Sequence, residues 1–331
     1  MSSSSKLIDR YSRNLNYLRI SITDRCNLRC SYCVPREEIV RLSHEEILRY
    51  EEILRLVRIG VKLGISKVRV TGGEPLVRKG VYEFLAELVR IKSLADVSLT
   101  TNGVLLEDNI HKIKAAGIKR INISLDTLER EKYKKITGHD RFEQVWSGIQ
   151  QAQKAGFAPI KLNVVALKGV NDDELADFAG LSFSHPYHVR FIEHMPIGAP
   201  RTGKDRPLLT PEIKAGIRAL GELEPIGKGL NDGPAERYKF RGARGEIGFI
   251  RPISRHFCGT CNRLRLTANG QLRSCLLTDR QEDLRGPLRS GSSDEALAEI
   301  FFKAVQYKPS EHQLNCEQSA QVKGRMFAIG G

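Results

Sequence analysis

The sequence predicts an α/β fold: a partial, TIM-like (β/α)6 barrel followed by a smaller C-terminal α+β region. Three observations carry that expectation. Between residues 17 and 193, six short β-branched runs alternate with longer stretches of helical periodicity, as βα units of a parallel sheet do. The alternation stops at the loop-like stretch PIGAPRTGKDRP (196–207), beyond which hairpin-like segments take over. A chain of 331 residues can bury one large α/β core with an appendage. An open doubly wound sheet shares the local pattern and periodicity does not separate the two; six consecutive units favour the barrel. The boundary falls near residue 200, giving a barrel over 1–200 and a second region over 201–331.

Taken in order, the first strand is YLRISIT (17–23). The helix after it is expected to start at SHEE, where Ser43 and Glu46 have capping-box spacing, and to run through ILRYEEILRLVRIGVKLG with apolar positions three and four apart. Strands KVRVT (67–71), VSLTT (97–101), RINISL (120–125), IKLNVVA (160–166) and HVRFIE (188–193) follow, with helices around 80–92, 107–116, 141–155 and 172–182. In the second region, hairpin-like segments at 237–250 and 263–276 precede a helix near 293–306.

Side chains alternate across a strand, so its two parities can be read separately. In the first strand Arg19, Ser21 and Thr23 oppose Leu18, Ile20 and Ile22; in the second Arg69 and Thr71 oppose Val68 and Val70; in the fifth Lys161 and Asn163 oppose Leu162 and Val164. A half-exposed edge strand would look the same. Three strands each carrying a long cation are better explained by a shared interior cavity that holds an anion, because an unpaired buried cation costs about several kcal/mol. Internal pairing with Asp24, Glu74 or Asp126 is the competing explanation.

Composition narrows the setting. No apolar run approaches the roughly 18 residues of a membrane span. MSSSSKLIDRYSRN has no apolar core of the kind a secretory signal carries, and Asp9 argues against an organellar transit peptide, so cytoplasm is the expected compartment. The net charge of +14 admits either nucleic acid or a small, highly charged anion as partner. Basic residues are spread along the chain with no block of like charge and no basic-aromatic interleaving, which disfavours nucleic acid.

Six of the seven cysteines form two triads. DRCNLRCSYC holds Cys26, Cys30 and Cys33 on a loop between a strand and a helix, and FCGTCNRLRLTANGQLRSC holds Cys258, Cys261 and Cys275. Thiolates suit zinc and iron-sulfur clusters alike, but structural zinc wants four ligands, and only His44 is near the first triad. A 4Fe-4S cluster held by three thiolates keeps one iron open for chemistry. At the second triad a zinc ribbon completed by His256 is comparable on its own terms, and Cys316 could also supply a fourth ligand. Two triads in one chain favour two iron-sulfur clusters.

CxxxCxxC at the end of a first strand, with Tyr32 before the third cysteine, resembles the signature of radical S-adenosylmethionine enzymes. TGGEP (71–75), TTNG (100–103), SLD (124–126) and RFIEHMP (190–196) follow in order. The second triad, the NRLRLT segment and the terminal Gly-Gly are similar to the GTP 3′,8-cyclase family of molybdenum cofactor biosynthesis. The resemblance covers nearly the whole chain. It implies two 4Fe-4S clusters, one on Cys26, Cys30 and Cys33 with its open iron chelating S-adenosylmethionine, and one on Cys258, Cys261 and Cys275 facing guanine. It implies that Tyr32, Gly73, Ser124 and Met195 line the S-adenosylmethionine site. GTP would meet Arg19, Arg69, Thr100, Lys161, Arg263, Leu264 and Arg265, and Arg263, Arg265, Gly330 and Gly331 would assist catalysis. Three of these are the strand cations already singled out.

The implied lyase reaction starts with one-electron cleavage of S-adenosylmethionine to a 5′-deoxyadenosyl radical, which takes hydrogen from C3′ of GTP. The resulting carbon radical attacks C8, giving (8S)-3′,8-cyclo-7,8-dihydroguanosine 5′-triphosphate. The family also implies a flavodoxin- or ferredoxin-type reductant, a homodimer, and hand-over of product to cyclic pyranopterin monophosphate synthase, with no nucleic acid or membrane partner. Leu28 and Val34 depart from the family's usual phenylalanine and methionine, and Lys79 adds a basic neighbour after TGGEPLV; none is a ligand cysteine. The alternatives are another radical S-adenosylmethionine enzyme with an auxiliary cluster, such as a peptide or sulfatase maturase, and, more remotely, a zinc nucleic-acid-binding protein.

Overall fold

The β-branched runs become parallel strands in the order in which they occur. The computed structural model describes residues 6–33, 41–195, 197, 207–227, 233–312, 322 and 326–329. Strands β1 (Tyr17–Ser21), β2 (Lys67–Thr71), β3 (Asp96–Thr101), β4 (Arg120–Ser124), β5 (Ile160–Ala166) and β6 (Tyr187–Glu193) pair each with the next, all parallel. Between them run α1 (Tyr50–Lys62), α2 (Val81–Val89), α3 (Leu106–Ala115), α4 (Arg130–Thr137), α5 (Phe142–Lys154) and α6 (Leu175–Ser184). Leu18, Ile20, Val68, Val70, Ile121, Ile123 and Leu162 are fully buried in the main core cluster, which also includes Leu56, Leu85 and Ile149 of the helices. Each such side chain contributes about 1.5–3 kcal/mol by leaving water. The opposite parity faces one cavity to which all six strands contribute, so the sheet curls around it as the expected partial barrel.

Within the barrel, two helices depart from the sequence expectation. The Ser43–Glu46 box forms, with Ser43 N donating to Glu46 Oε2 at 2.8 Å and Glu46 N to Ser43 Oγ at 3.3 Å, but it closes only a turn. Helix α1 begins at Tyr50, where Glu52 Oε2 accepts from Arg49 N at 2.6 Å. The carbonyls between are taken by distant arginines: Arg285 bonds the Glu46 oxygen at 2.8 Å, Arg289 the Ile47 oxygen at 3.0 Å and Arg78 the Leu48 oxygen at 2.7 Å. Carbonyls so engaged, with Leu48 N donating to Ala268 O, do not close helical turns. The other departure is α4, a short, strongly basic helix that the periodicity did not reveal.

Past residue 200 the chain builds no separate sheet. After α7 (Thr210–Ile217), strands β7 (Leu223–Ile226), β8 (Glu236–Phe240) and β9 (Glu246–Ile250) extend the β6 edge, β9 lying parallel to β6. Strands β10 (Arg263–Leu266), β11 (Gln271–Arg273) and β12 (Glu282–Asp283) extend the β1 edge, β10 lying parallel to β1. The twelve strands follow one another as β12-β11-β10-β1-β2-β3-β4-β5-β6-β9-β8-β7, so the C-terminal region flanks both edges of the barrel sheet. Helices α8 (Arg285–Arg289), α9 (Asp294–Gln306) and α10 (Met326–Ile329) complete the described elements. A second apolar cluster of Ile197, Leu276, Leu277, Val322 and Ile329 docks the tail beside Cys275 and Met195. Among the described residues no helix is long and apolar enough to cross a membrane.

Candidate functional site

The first triad sits where β1 hands over to its loop, and the loop is fixed mainly by backbone bonds. Arg29 N donates to Thr137 O at 2.8 Å and Ser31 N to Ile136 O at 2.9 Å, so the C-terminal end of α4 carries the cysteine loop. That end is terminated by Gly138 in the left-handed region at φ 73°. Asn102 reaches across from TTNG, its Nδ2 donating to Asn27 Oδ1 at 2.7 Å and lying 3.7 Å from Cys26 Sγ. Cys26, Cys30 and Cys33 all line the cavity.

TGGEP closes on this loop at near-zero clearance. Gly73 N donates to Thr23 O at 2.7 Å and Glu74 N to Arg25 O at 2.8 Å. A Cβ on Gly73 would stand 2.3 Å from the Arg25 carbonyl oxygen, so only glycine fits. Glu74 is fully buried and accepts from Thr101 Oγ1 (2.8 Å), Asn102 N (2.7 Å) and Leu76 N (3.0 Å); burial nevertheless pushes its pKa up to about 7. Tyr32 donates to Asp126 Oδ2 at 2.6 Å, and Val165 N to Asp126 Oδ1 at 2.8 Å. Burial raises Asp126 to about 6 against those two bonds. Leu42 N donates to Asp24 at 2.7 Å. The three carboxylates named as competing partners of the strand cations are thus committed to loop architecture.

The cavity floor is a row of cations. In register across β10, β1 and β2 lie Arg265, Arg19 and Arg69, with Arg263, Tyr17 and Lys67 one step below. Burial, with repulsion from Arg69 and Arg263, lowers Arg19 to about 9; burial, with Arg19 and Arg263, disfavours the charge on Arg265 more strongly. Buried polar atoms on the same strand faces lack a hydrogen-bond partner: Tyr17 OH, Arg69 Nε, Ser98 Oγ, Thr100 Oγ1, Asn122 Oδ1 and Asn163 Oδ1. Repelling cations interleaved with unsatisfied donors and acceptors form a site prepared for a polyanion with further polar groups.

The second triad faces the first across this floor. Cys258 opens a 3-10 turn, Cys261 immediately precedes β10's lead-in and Cys275 follows β11; all three line the same cavity. Lys308 ties the segment together, donating to Arg263 O at 3.0 Å and Ser274 O at 2.5 Å. Burial raises the Cys261 pKa, but Arg263 and Lys308 outweigh it and bring the thiol to about 6. Burial holds Cys26 and Cys30 above their ordinary value. Half-buried thiolates gathered in threes repel one another and are stabilised by cationic metal, and each triad offers three sulfurs to one cavity, a donor set that fits a cluster with one open iron.

Residues 20–181 match the Radical SAM superfamily and residues 187–314 match Molybdenum Cofactor Synthesis C. The chain is 49% identical to the GTP 3′,8-cyclase of Moorella thermoacetica over 98% of this chain and 99% of that protein. It is 50% identical to that of Heliobacterium modesticaldum over 98% and 100%. The chain belongs to the GTP 3′,8-cyclase family of the radical SAM superfamily. Among solved structures, Streptococcus suis SuiB bound to S-adenosylmethionine superposes with a TM-score of 0.59 at 13% identity, covering 88% of this chain and 69% of that one. That likeness shows the shared fold.

Seen against the family's expected site, Tyr32, Gly73, Ser124 and Met195 lie on the cavity wall around the first triad, and Arg19, Arg69, Thr100, Arg263 and Arg265 on its floor. Lys161 lies on the cavity-facing parity of β5, one step below Asn163, and does not reach the lining. Leu264 points the other way, into the core, which leaves only its backbone for a ligand. Gly330 and Gly331 lie outside the described residues, as does Cys316; Met326, just before the tail's end, lines the cavity and Ile329 is buried. Tyr17, Arg190, Asn102 and His312 also lie on the cavity wall, beyond the site residues that the resemblance implies. The parity rule that picked out Arg19 and Arg69 also selects Tyr17 and Arg190, while His312 carries no local signal.

Proposed function

We propose that this chain is a GTP 3′,8-cyclase: it binds S-adenosylmethionine at Cys26, Cys30 and Cys33 and GTP between that site and Cys258, Cys261 and Cys275, and makes (8S)-3′,8-cyclo-7,8-dihydroguanosine 5′-triphosphate. The observation that carries the reading is the single cavity with one cysteine triad on each side and a floor of cations between them.

A reduced 4Fe-4S cluster on the first triad would supply one-electron cleavage of S-adenosylmethionine, and a second on the other triad would offer an iron to the guanine. The protein's own contribution is placement. Arg19, Arg69, Arg263 and Arg265 give a triphosphate its counter-charge, and guanidinium forks fix its orientation as well as its charge. Tyr17, Thr100 and Asn163 offer their unsatisfied polar atoms to the same ligand. Gly73 lets backbone approach the methionine moiety, and Asp126 holds the Tyr32 ring against the first triad. The Gly330–Gly331 tail and Lys161 are proposed to act on GTP with the arginines. A flavodoxin- or ferredoxin-type reductant, cytoplasmic location, a homodimer and transfer of product to cyclic pyranopterin monophosphate synthase belong to the same proposal, as does division of the chain near residue 200.

The test is an anaerobic assay of the reconstituted, reduced chain with S-adenosylmethionine, with and without GTP. Formation of 5′-deoxyadenosine together with GTP consumption is expected. Cleavage of S-adenosylmethionine with GTP left intact overturns the assignment.

A further inference from the structure

Beside the second triad lie two donors that the three-cysteine site does not use. His256 precedes Cys258 by two residues, and His312 arrives from the segment after α9. The ligand atoms of His256, Cys258 and His312 all lie within 4.8 Å of one another. The two imidazoles are 4.0 Å apart between ring centroids and tilted by 45°. His312 is buried, and His256 and Cys258 are half-buried.

One buried guanidinium holds both segments that bring these donors together. Arg13, paired with Asp9 at 2.6 Å, donates to Cys258 O at 2.7 Å, to Pro309 O at 2.6 Å and to Ser310 O at 3.0 Å. The trio is therefore a product of tertiary structure fixed before any ion arrives.

Two imidazoles and a thiolate form a borderline-soft donor set suited to zinc and similar divalent ions. With metal–nitrogen and metal–sulfur bonds of roughly 2.0–2.3 Å, ligand atoms on one tetrahedral ion stand about 3.5 Å apart, so the trio needs to close by about 1 Å. Three thiolates on a 4Fe-4S cluster each bind a different iron and stand farther apart. Cys258 belongs to both sets, so a mononuclear ion on the trio and a cluster on the triad exclude each other.

We propose that the cluster-free chain binds one divalent transition-metal ion through His256, Cys258 and His312, with water in the fourth position, and that this occupancy blocks cluster assembly on Cys258, Cys261 and Cys275. The site is a metal-sensitive checkpoint on maturation, and it does not depend on which reaction the mature protein performs.

The test uses full-length chain, cluster-free and reduced, with Cys26, Cys30 and Cys33 replaced by alanine to silence the first triad. Titration with Co2+ should show one equivalent bound, with thiolate charge-transfer and tetrahedral ligand-field bands, displaced by Zn2+. His256→Ala and His312→Asn should each weaken binding at least tenfold, whereas Cys261→Ala and Cys275→Ala should leave it within about twofold. Zn2+ loading should slow iron incorporation at the second triad in the histidine-intact chain and not in His256→Ala. Because His256 is half-buried, its variant reports on the site even if His312→Asn perturbs folding, which far-UV circular dichroism checks. Cobalt binding that ignores both histidine variants, or that is lost with Cys261 or Cys275, overturns the proposal and places the ion on the cysteine triad.

Discussion

At Lys161 an amino group is held so far from water, and so near other cations, that its neutral form becomes accessible. Burial, then Arg190, Arg120, Arg69 and Lys67, lower its pKa to about 6 from 10.5. Between those values the folded chain binds fewer protons than the unfolded one, so Lys161's contribution to stability is complete above pH 10.5 and is lost as pH falls toward and through 6. A bound triphosphate should raise that pKa again. GTP binding at pH 8 should therefore take up protons, seen as buffer-dependent heat in calorimetry, and Lys161→Met should reduce the uptake by about one proton; unchanged uptake would assign it elsewhere. Tyr17 is the complementary case. Its hydroxyl has no hydrogen-bond partner, and its ring lies 4.9 Å from the Lys67 ammonium and 5.7 Å from the Arg69 guanidinium carbon. Tyr17→Phe should weaken GTP binding by about 1 kcal/mol, near fivefold, with thermal stability held or raised. Arg19, Arg69 and Lys161 were legible because cations break an apolar alternation. Tyr17 shares their parity, but an aromatic at a strand start reads as core.

The elements that matter most for the site are the ones that grip the cysteine loop. TGGEP presses Gly73 against Arg25, and α4 holds Arg29 and Ser31. Gly73→Ala must displace backbone to relieve a 2.3 Å contact; overpacking of that kind costs about 1–3 kcal/mol. The variant should melt several degrees lower and bind S-adenosylmethionine at least tenfold more weakly once its clusters are reconstituted, by equilibrium dialysis. Wild-type affinity would remove the glycine from the cofactor site. The six strands and most helices were legible because their apolar faces repeat at strand or helix period. Helix α4 was not, since REKYKKIT buries only Tyr133, Ile136 and Thr137 and its value lies in the backbone it offers at its end. The late start of α1 was equally hidden: Arg78, Arg285 and Arg289 reach its N-terminal flank from distant segments, and a local capping signal says nothing of such competitors.

At the scale of the whole molecule, the sheet explains why the two triads meet. Parallel addition of β10 beside β1 brings Arg263 and Arg265 level with Tyr17 and Arg19, and the flanking loops bring Cys258, Cys261 and Cys275 to the cavity. The hairpins at 237–250 and 263–276 and the helix near 293–306 were legible from their own patterns; that each hairpin joins an edge of the barrel sheet was not, because no local periodicity announces a parallel pairing with β1 or β6. The same assembly gathers part of the +14 charge into one cavity, where self-repulsion opposes folding until an anion arrives. Inorganic triphosphate at about 100 times its Kd should stabilise the chain by roughly 2.7 kcal/mol, and Arg19→Ala with Arg265→Ala should abolish most of that gain in thermal unfolding. Equal stabilisation of that double variant would mean the anion binds elsewhere.

The division of labour between the two triads is the central claim, and comparing Cys26→Ala with Cys275→Ala tests it most directly. Both are reconstituted anaerobically, reduced, and given S-adenosylmethionine and GTP, and 5′-deoxyadenosine and cyclised nucleotide are quantified in the same reaction. Cys26→Ala should yield neither product, while Cys275→Ala should still yield 5′-deoxyadenosine and no cyclised nucleotide. Cyclised nucleotide from Cys275→Ala, or equal loss of 5′-deoxyadenosine in both variants, would contradict it.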